Sequence, residues 1–598
     1  MEKPVDVEYV AGTIKSPQHT KLTQAAFTET DKVHFPDGRL TNIPPWAEVT
    51  YDGASLLGAC RTIHGAEVSG GNFNYLHATN SNLYVLRNST LSNITPLRTT
   101  STTLGNNPIA TTNGQAVITV THTAHGLVTG NRIKISGATG PINTVPASEI
   151  NKEHIVTVVN ANSYRVNVTT AATATGSGGG ASVLAYKQIA SQGVNQILPT
   201  GFGAGLFGAN VFGYNQQSQT GASIYPRIWS FDDFGQDVIM CPGDTAAGDG
   251  RKIYIWDYNI NTAPTVLTNA PTDCNFVLTV KNCVVALCGN RVDISSIGDA
   301  TRWEPNASID PGTTAYSKTL QRLSRLVCGI RLGEKSALLF SDNEVLILRY
   351  VGGTELWDIS DAPGGNNDGI IGPNACCEMN GTVYWRGRQN MFRFSGAFVE
   401  IVDNPQNGDW ITQNINTAQM SKSFMAVDHV NGQIVMHFPA GADNEPNDYV
   451  IYNTKGHFTL GKMSRTASMK RVIGGRLLMA NSTSETLAGD IFTHYLKDTN
   501  IAVEWSAVTA EAYAGDGQRR FEIKQFWPDS NQIGTTNIQY RTRDYARGDQ
   551  YNSQVYSVEQ GTEYQTVVAA GRIRSIAFNG TGQFSMGAWK ETVRMLGK

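Results

Sequence analysis

The chain has 598 residues, and 47 Lys and Arg against 50 Asp and Glu leave a formal net charge of −3. Charged residues make up only 16 % of the sequence, below the ~25 % usual for soluble domains. This balance excludes a strongly basic surface of the kind that wraps nucleic acid. No run of ~18 apolar residues occurs, so no membrane-spanning helix is predicted, and the first residues lack the apolar core of a signal peptide.

Short stretches of alternating apolar and polar residues dominate the chain, and Gly, Asn, Asp or Pro close them. Examples are "NLYVLRN" at 82–88, "KIYIWDYN" at 252–259 and "GTVYWRGRQNMFRFSG" at 381–396. Such period-2 patterns predict half-buried strands joined by hairpin turns. The units recur every 40–50 residues or so, which is typical of β-propeller blades.

The fold class we predict is therefore mainly β: a propeller with an inserted small β-barrel or sandwich and a C-terminal β-sandwich-like region. Residues 1–50 are expected to form an N-terminal arm and the first strands of a platform, and residues 51–100 the start of the propeller. Residues 101–186 are rich in Thr, Ala and Val and poor in aromatics, which indicates the inserted domain. The propeller continues over 187–500, and 501–598 form the C-terminal region. The best helix candidate is "AYSKTLQRLSRL" at 315–326.

The eight cysteines do not have the spacing of a metal site. None forms a C-x-x-C pair, and Cys376 and Cys377 are adjacent, whereas zinc sites use paired C-x2-4-C ligands. We expect free, mostly buried thiols, as is usual for proteins assembled in a reducing cytoplasm.

Two motifs resemble parts of a protein kinase. "GAGLFG" matches G-x-G-x-x-G at Gly203, Gly205 and Gly208, and "DFG" follows at Asp233, Phe234 and Gly235. In a kinase these motifs lie much farther apart, with a strand Lys and a catalytic loop between them. Neither is present here, and a P-loop is also missing from the sequence. The stretch instead indicates a Gly/aromatic loop that leads into a strand with Trp229, with Phe234–Gly235 as its turn. Trp229, and Trp256 on the partner strand, are expected to be packing anchors of one blade.

Other residues that could support chemistry have simpler interpretations. Paired carboxylates would suit sugar cleavage, and the candidates are Asp232–Asp233, Asp358–Asp361 and Glu304–Asp310; Asp in β-turns is the favoured interpretation. His122 and His125 lack a third metal ligand, so we expect them in a turn. Basic residues gather at three places, where solvated faces or ion pairs between subunits are favoured over DNA phosphate contacts: Arg386, Arg388 and Arg393; Arg519 and Arg520; Arg541, Arg543 and Arg547. We assign no catalytic, cofactor-binding or metal-ligating residue, and we expect no cofactor and no enzymatic activity.

Several segments together resemble the tail nozzle proteins of short-tailed bacteriophages. "DKVHFPDGRLTNIPPW" at 31–46 is similar to their opening strand, x-v-r-F-x-x-G-R-P-x-K-x-x-G-W, with Leu40, Asn42 and Pro45 as departures. "GFGAGLFGANVFGYN" resembles the Gly/aromatic run of this family. Residues 227–257 resemble its W-S-L-D-x-F-G-E strand pair, and residues 340–396 are the strongest match. The 116–140 element looks like small β-domains inserted in many phage virion proteins.

The resemblance implies a homohexameric tube below the portal and adaptor proteins, located in the virion tail and assembled in the bacterial cytoplasm. Such a tube holds the packaged genome, conducts DNA without sequence specificity, and can dock tail fibres. A neutral or mildly acidic lumen would let DNA slide. The alternative is a propeller-based receptor-binding or carbohydrate-active tail protein. A secreted adhesin is disfavoured, since the sequence shows no signal peptide.

Overall fold

A computed structural model describes residues 2–15, 20–21, 23–68, 71–197, 224–321, 325–353, 356–364, 368–403, 405–470, 472–494, 501–513 and 517–596. The structure is nearly all β, as predicted. It divides into two compact units. One comprises residues 1–49, 362–480 and 491–598, and the other comprises residues 50–361 and 481–490. We call them the platform unit and the insert unit.

The insert unit contains four antiparallel sheets built in chain order, each strand pairing with the next. We call them blades 1 to 4, because consecutive four-stranded sheets of this kind are the blades of β-propellers. Blade 1 contains Cys60–Val68, Asn72–Thr79, Leu83–Arg87 and Thr90–Asn93, with Asp52–Gly53 added in parallel, and blade 2 contains Ser230–Phe234, Asp237–Cys241, Tyr254–Trp256 and Thr265–Val266. Blade 3 contains Phe276–Val280, Cys283–Cys288, Arg291–Ile294 and Tyr316–Thr319. Blade 4 contains Leu326–Arg331, Ser336–Ser341, Val345–Tyr350 and Trp357–Asp361.

Residues 101–187 of the insert unit form a small two-sheet domain, which we call the insert. One sheet contains Thr102–Thr103, Leu184–Lys187, Arg132–Ser136 and Glu153–Ile155; the other contains Thr157–Asn160, Ser163–Asn167, Val117–Thr121, Ile109–Thr111 and Gly176–Gly178. A four-residue helix, Ala147–Ile150, lies between strands of the first sheet. The two sheets share one aliphatic core, which includes Ile118, Ile133 and Val166 around Tyr164.

The platform unit contains three further blades. Their strands are, for blade 5, Cys376–Met379, Thr382–Arg386, Met391–Phe394 and Val399–Ile401; for blade 6, Phe424–Asp428, Gln433–Phe438, Asp448–Asn453 and Phe458–Lys462; and for blade 7, Ala467–Ser468, Leu477–Asn481, Asp490–His494 and Ala47–Glu48. The helix Pro405–Asn414 joins blades 5 and 6, and short 3-10 turns occur at Met420–Lys422 and, in the insert unit, at Asp249–Arg251.

The remainder of the platform unit is a curled sheet of twelve strands that joins the two ends of the chain. Glu2–Thr13 pairs antiparallel with Trp589–Met595 and parallel with Gln24–Asp31. The other strands are Thr20–Lys21, Glu504–Thr509, Ala512–Tyr513, Phe521–Trp527, Thr536–Arg543, Tyr551–Asn552, Tyr556–Val558, Gln565–Gly571 and Ile573–Thr581; a separate small sheet contains Val33–His34, Leu40–Asn42, Ser530–Gln532 and Phe584–Met586. The concave core is aromatic, with Trp505 stacked on Phe584 at 4.1 Å between ring centroids.

The helix expected over residues 315–326 is wrong. Tyr316–Thr319 is the last strand of blade 3 and pairs in register with Arg291–Ile294. The short apolar spacing resembled one helical face, but the neighbouring strand satisfies the backbone hydrogen bonds, and this tertiary pairing overrides local propensity. Residues 322–324 lie outside the described residues.

Candidate functional site

The first strands of blades 1 to 4 lie next to one another within the insert unit, and they bring polar residues of the "DFG" segment together with partners from other blades. Asp232 Oδ2 accepts the Thr279 backbone N–H at 2.8 Å, and its Oδ1 lies 2.8 Å from Arg331 Nη2. Asp233 Oδ1 lies 2.9 Å from His64 Nε2. These two carboxylates therefore join blades 1, 2, 3 and 4 through side-chain contacts.

The turn after Phe234 explains the rest of this motif. Ser230–Phe234 pairs with Asp237–Cys241, so that Gly235 and Gln236 alone form the loop of a hairpin. Gly235 has a φ of +64°, and glycine at the first loop position is what the type II′ hairpin requires. The predicted turn is confirmed. The "GAGLFG" segment at 203–208 lies outside the described residues.

Trp229 and Trp256 share one buried core, as expected, together with residues of blade 1. The partner strand was wrong in detail, however. Trp256 pairs with Val238, so its strand is the third of blade 2. The strand Asp237–Cys241 separates it from Ser230–Phe234, the strand that directly follows Trp229. Both indole N–H groups donate to backbone carbonyls, Trp229 to Thr79 at 3.0 Å.

Three of the other candidate carboxylates for sugar cleavage bind residues that are close to them in the sequence. Asp310 accepts two hydrogen bonds from the Arg302 guanidinium, the shorter at 2.6 Å, and this pairing lowers the pKa of Asp310. Glu304 accepts the Asn306 backbone N–H at 2.9 Å, as expected for a turn. Asp358 accepts the Ser360 hydroxyl at 3.0 Å.

His122 and His125 lie in the insert, packed against Tyr164. His125 uses both ring nitrogens: Nε2 bonds the Asn160 carbonyl at 2.8 Å, and Nδ1 accepts the Leu127 N–H at 2.9 Å. Burial lowers the pKa of His122 to about 4, which holds it neutral at neutral pH. Across the described ranges, no three His, Cys, Asp or Glu side chains could hold a metal ion.

Arginines from each of the three predicted basic groups are ion-paired within the chain. Arg386 Nη1 lies 2.5 Å from Asp403, and both side chains are buried. Arg393 pairs with Glu400 at 2.6 Å, and the other pairs are Arg520–Asp544 and Arg543–Glu511. The expected ion pairs between subunits are thus not what the structure shows for these four side chains, whose carboxylate partners belong to the same chain.

Sequence reasoning missed the buried ion pair between Arg227 and Asp244. Arg227 Nε and Nη2 bond the two carboxylate oxygens at 2.7 and 2.6 Å, and its remaining donors reach the carbonyls of Asn80 and Ala190. One guanidinium thus connects blade 1, blade 2 and the chain that returns from the insert. An isolated Arg and an isolated Asp, seventeen positions apart, give no pattern in the sequence that could reveal this pair.

A cleft of about 970 Å³ lies in the insert unit between the insert and blade 1. Its walls come from residues 53–57, 81–84 and 91–93 in and beside blade 1, 126–132 and 153–155 of the insert, 260–261 after the third strand of blade 2, and 485–488. The lining combines small and hydroxyl-bearing residues with the aliphatic side chains of Val128, Ile155 and Ile260.

Arg132 fixes the insert against blade 1 beside this cleft. Its Nη1 donates to the Asn93 carbonyl at 2.5 Å, its Nη2 donates to the Asn261 carbonyl at 2.9 Å, and its Nε bonds Glu153 at 2.7 Å. Glu153 also accepts the Ala263 N–H at 2.9 Å. The cleft therefore has one fixed charged pair that is already satisfied internally.

The eight cysteines are all free and buried, as predicted. Within the described residues, no helix has the length and apolar content that crossing a bilayer demands.

No protein-family model and no curated protein matches the chain. Among solved structures it is similar to the computationally designed Ika8 protein (7 % identity, 75 % of this chain and 100 % of that chain, TM-score 0.32). It is also similar to the β-propeller domain of the Trilobed protease from Pyrococcus furiosus, with 9 % identity over 45 % of this chain and 80 % of that chain and a TM-score of 0.26. A third similar structure is the phage phi92 endosialidase, with 10 % identity over 84 % of this chain and 70 % of that chain and a TM-score of 0.17.

Proposed function

We propose that the chain is a structural protein of a short-tailed bacteriophage virion, the tail nozzle. In this proposal six copies form a tube next to the portal and adaptor proteins, retain the packaged genome and conduct DNA during ejection. The protein works by assembly and not by catalysis, and it can dock tail fibres.

The observation that supports the proposal is the use of the motif residues in this fold. The segment 227–257, which resembles the nozzle family, forms three strands of blade 2, and its Arg227 and Asp244 form the buried pair that joins three chain segments. The segment 340–396 forms strands of blades 4 and 5, and its Arg386 is held by Asp403. In these segments Arg227 and Arg386 form buried ion pairs that hold parts of the chain together, as we expect of a structural protein.

The charge distribution supports passage of DNA more than tight binding. Tight binding of DNA by protein depends on Lys and Arg that neutralise phosphates. Three arginines of the resembling segments are paired with carboxylates instead, Arg227 with Asp244, Arg386 with Asp403 and Arg393 with Glu400. With a formal net charge of −3, the chain has no excess of cations that would bind a passing genome tightly, so in this proposal the closed tube and not phosphate contacts retains the packaged DNA.

Mass photometry of the purified chain tests the assembly. Six copies of the 64.7 kDa chain should appear as a closed ring of about 390 kDa. A species that stays at the mass of one chain at all concentrations, with and without the portal and adaptor proteins, would contradict the proposal. A glycan array with a depolymerase assay separates the carbohydrate-active alternative, for which we expect neither binding nor turnover.

A further inference from the structure

The strand Glu153–Ile155 lies at one edge of its sheet and forms part of the cleft wall. Its neighbour is Arg132–Ser136, with the partners Arg132↔Ile155, Ile133↔His154 and Lys134↔Glu153. In an antiparallel pair, directly opposed residues alternate between bonded and non-bonded pairs. The register therefore decides which backbone groups of this strand are left for another chain.

The flanking hydrogen bonds fix that alternation. Val156 N–H donates to Asn131 and Ile135 N–H donates to Lys152, so these are bonded positions. Arg132 instead directs its N–H and carbonyl to Gln188 on the opposite side. The pairs of Ile155 and Glu153 are consequently the non-bonded ones, and the N–H and carbonyl groups of both residues point away from the sheet. Among the described residues, no hydrogen bond reaches the Ile155 or Glu153 backbone from that side.

Three aliphatic side chains in the wall of the same cleft are exposed to solvent. Val128 is 60 % exposed, Ile155 46 % and Ile260 37 %. Val128 and Ile155 belong to the insert, and Ile260 follows the third strand of blade 2. Apolar side chains beside open backbone groups are the two components of strand addition, in which main-chain bonds supply affinity and side-chain pockets supply specificity.

The charges of the lining favour a basic ligand. Arg132 and Glu153 neutralise each other at 2.6 Å. The remaining charged side chain of the lining is Glu485, which is exposed and bonded through Oε1 to the neutral Asn80 amide at 2.9 Å. Among the residues that the structure describes, no cation pairs with the Glu485 carboxylate, so the cleft presents one negative charge to a ligand.

We propose that the cleft binds an extended peptide segment of a partner protein, added as a strand beside Glu153–Ile155. Alternate apolar side chains of the segment pack on Val128, Ile155 and Ile260, and a Lys or Arg of the segment lies near Glu485. The volume is at the upper end of the ~300–1,000 Å³ usual for ligand pockets, which suits a short extended segment. This inference does not depend on the hexameric assembly.

Selection from two display libraries of ten-residue peptides, with the full chain as the target, tests whether the cleft binds such a segment. In the first, Val, Ile or Leu alternates with Ser or Thr and one position is Lys; in the second, Glu replaces that Lys. We expect enrichment from the first library only. Selected peptides should bind in fluorescence anisotropy, and N-methylation of backbone amides on the side that faces Ile155 should weaken binding at least tenfold.

Variants of the protein assign the contact to this cleft. Ile155→Pro removes the outward N–H, which proline tolerates at a sheet edge, and should weaken binding at least tenfold. Ile155→Ala keeps that N–H and should weaken it less. Glu485→Lys should reverse the preference between the libraries even if Ile155→Pro fails to fold. The control Ile309→Ala, 69 % exposed and away from the cleft, should leave affinity unchanged.

Enrichment of neither library, or binding that N-methylation and Glu485→Lys leave unchanged, would overturn the proposal. Binding of glycans in the cleft, with loss of that binding in Ile155→Pro, would equally overturn it, because the occupant would then be a saccharide.

Discussion

Replacing Asp244 with Asn should destabilise blades 1 and 2 far more than the loss of an exposed charge would. The Asp244 and Arg227 side chains are 4 % and 1 % exposed. Asn is nearly isosteric, but its amide N–H group would face an Arg donor where a carboxylate oxygen now accepts. Gln192 Nε2, 3.1 Å from Asp244 Oδ2, would meet the same group.

The expected loss of stability in Asp244→Asn follows from the hydrogen bonds that the substitution removes. Two charge-assisted hydrogen bonds are each worth about 1.5–3 kcal/mol, and breaking a buried ion pair at one partner costs about 3–5 kcal/mol because a desolvated charge is left behind. We therefore expect about 3–5 kcal/mol for Asp244→Asn. The matched control is Glu334→Gln, since Glu334 is 76 % exposed and pairs with Lys281 at 3.1 Å; such pairs contribute under about 1 kcal/mol.

Hydrogen exchange measured by mass spectrometry is the suitable assay, because a chain of several cooperative units has no single unfolding free energy. Peptides that cover Asp237–Cys241 and Leu83–Arg87 should lose protection by roughly a hundred- to several-thousand-fold in Asp244→Asn. Peptides from the platform unit should keep theirs. Equal, small losses in Asp244→Asn and Glu334→Gln would refute the role given to the Arg227 pair.

Three further predictions concern other parts of the fold. Burial, reinforced by the charge of Arg465, lowers the pKa of His437 to about 3 from the ordinary 6.5. Between pH 3 and 6.5 the unfolded chain therefore binds a proton at this residue that the folded chain does not bind. The stability of blade 6 should therefore decrease as the pH is lowered from 6.5 towards 3, by at most about 1.4 kcal/mol per pH unit from this group. His437→Gln should flatten that decrease when hydrogen exchange of blade 6 peptides, corrected for the intrinsic exchange rate, is followed against pH. Gly235→Ala should cost about 1–2 kcal/mol in thermal unfolding, since its φ is left-handed, whereas Gly193→Ala, with open space around the new Cβ, should be neutral; equal shifts would contradict the turn assignment. The eight buried cysteines should not react with Ellman's reagent until the chain is unfolded, and prompt reaction of the native protein would contradict their burial.

The local features of this fold were open to prediction because they depend on neighbouring residues. Gly235 closes a two-residue hairpin, and a left-handed turn position next to alternating strands has a recognisable pattern. Trp229 and Trp256 were expected to anchor the packing of one blade, and they share one buried core.

The features that were missed depend on residues far apart in the chain. The strand Glu2–Thr13 pairs with Trp589–Met595 at the other end of the sequence, and alternation alone says nothing about which strand is the partner. The segment Tyr316–Thr319 has no strand signal strong enough to compete with a short helical spacing until its neighbour Arg291–Ile294 is in place. The cleft likewise depends on contacts between segments far apart in the chain, such as the bond from Arg132 of the insert to the Asn93 carbonyl of blade 1.

Cryo-electron microscopy of the virion in which this chain is found would show whether the chain forms the tail nozzle. We expect a six-fold ring below the portal and adaptor, into which the seven blade sheets and the insert can be built, with density for DNA along its axis. Density that places single copies of the chain at the tips of fibres, or its absence from the tail, would contradict the tail-nozzle proposal.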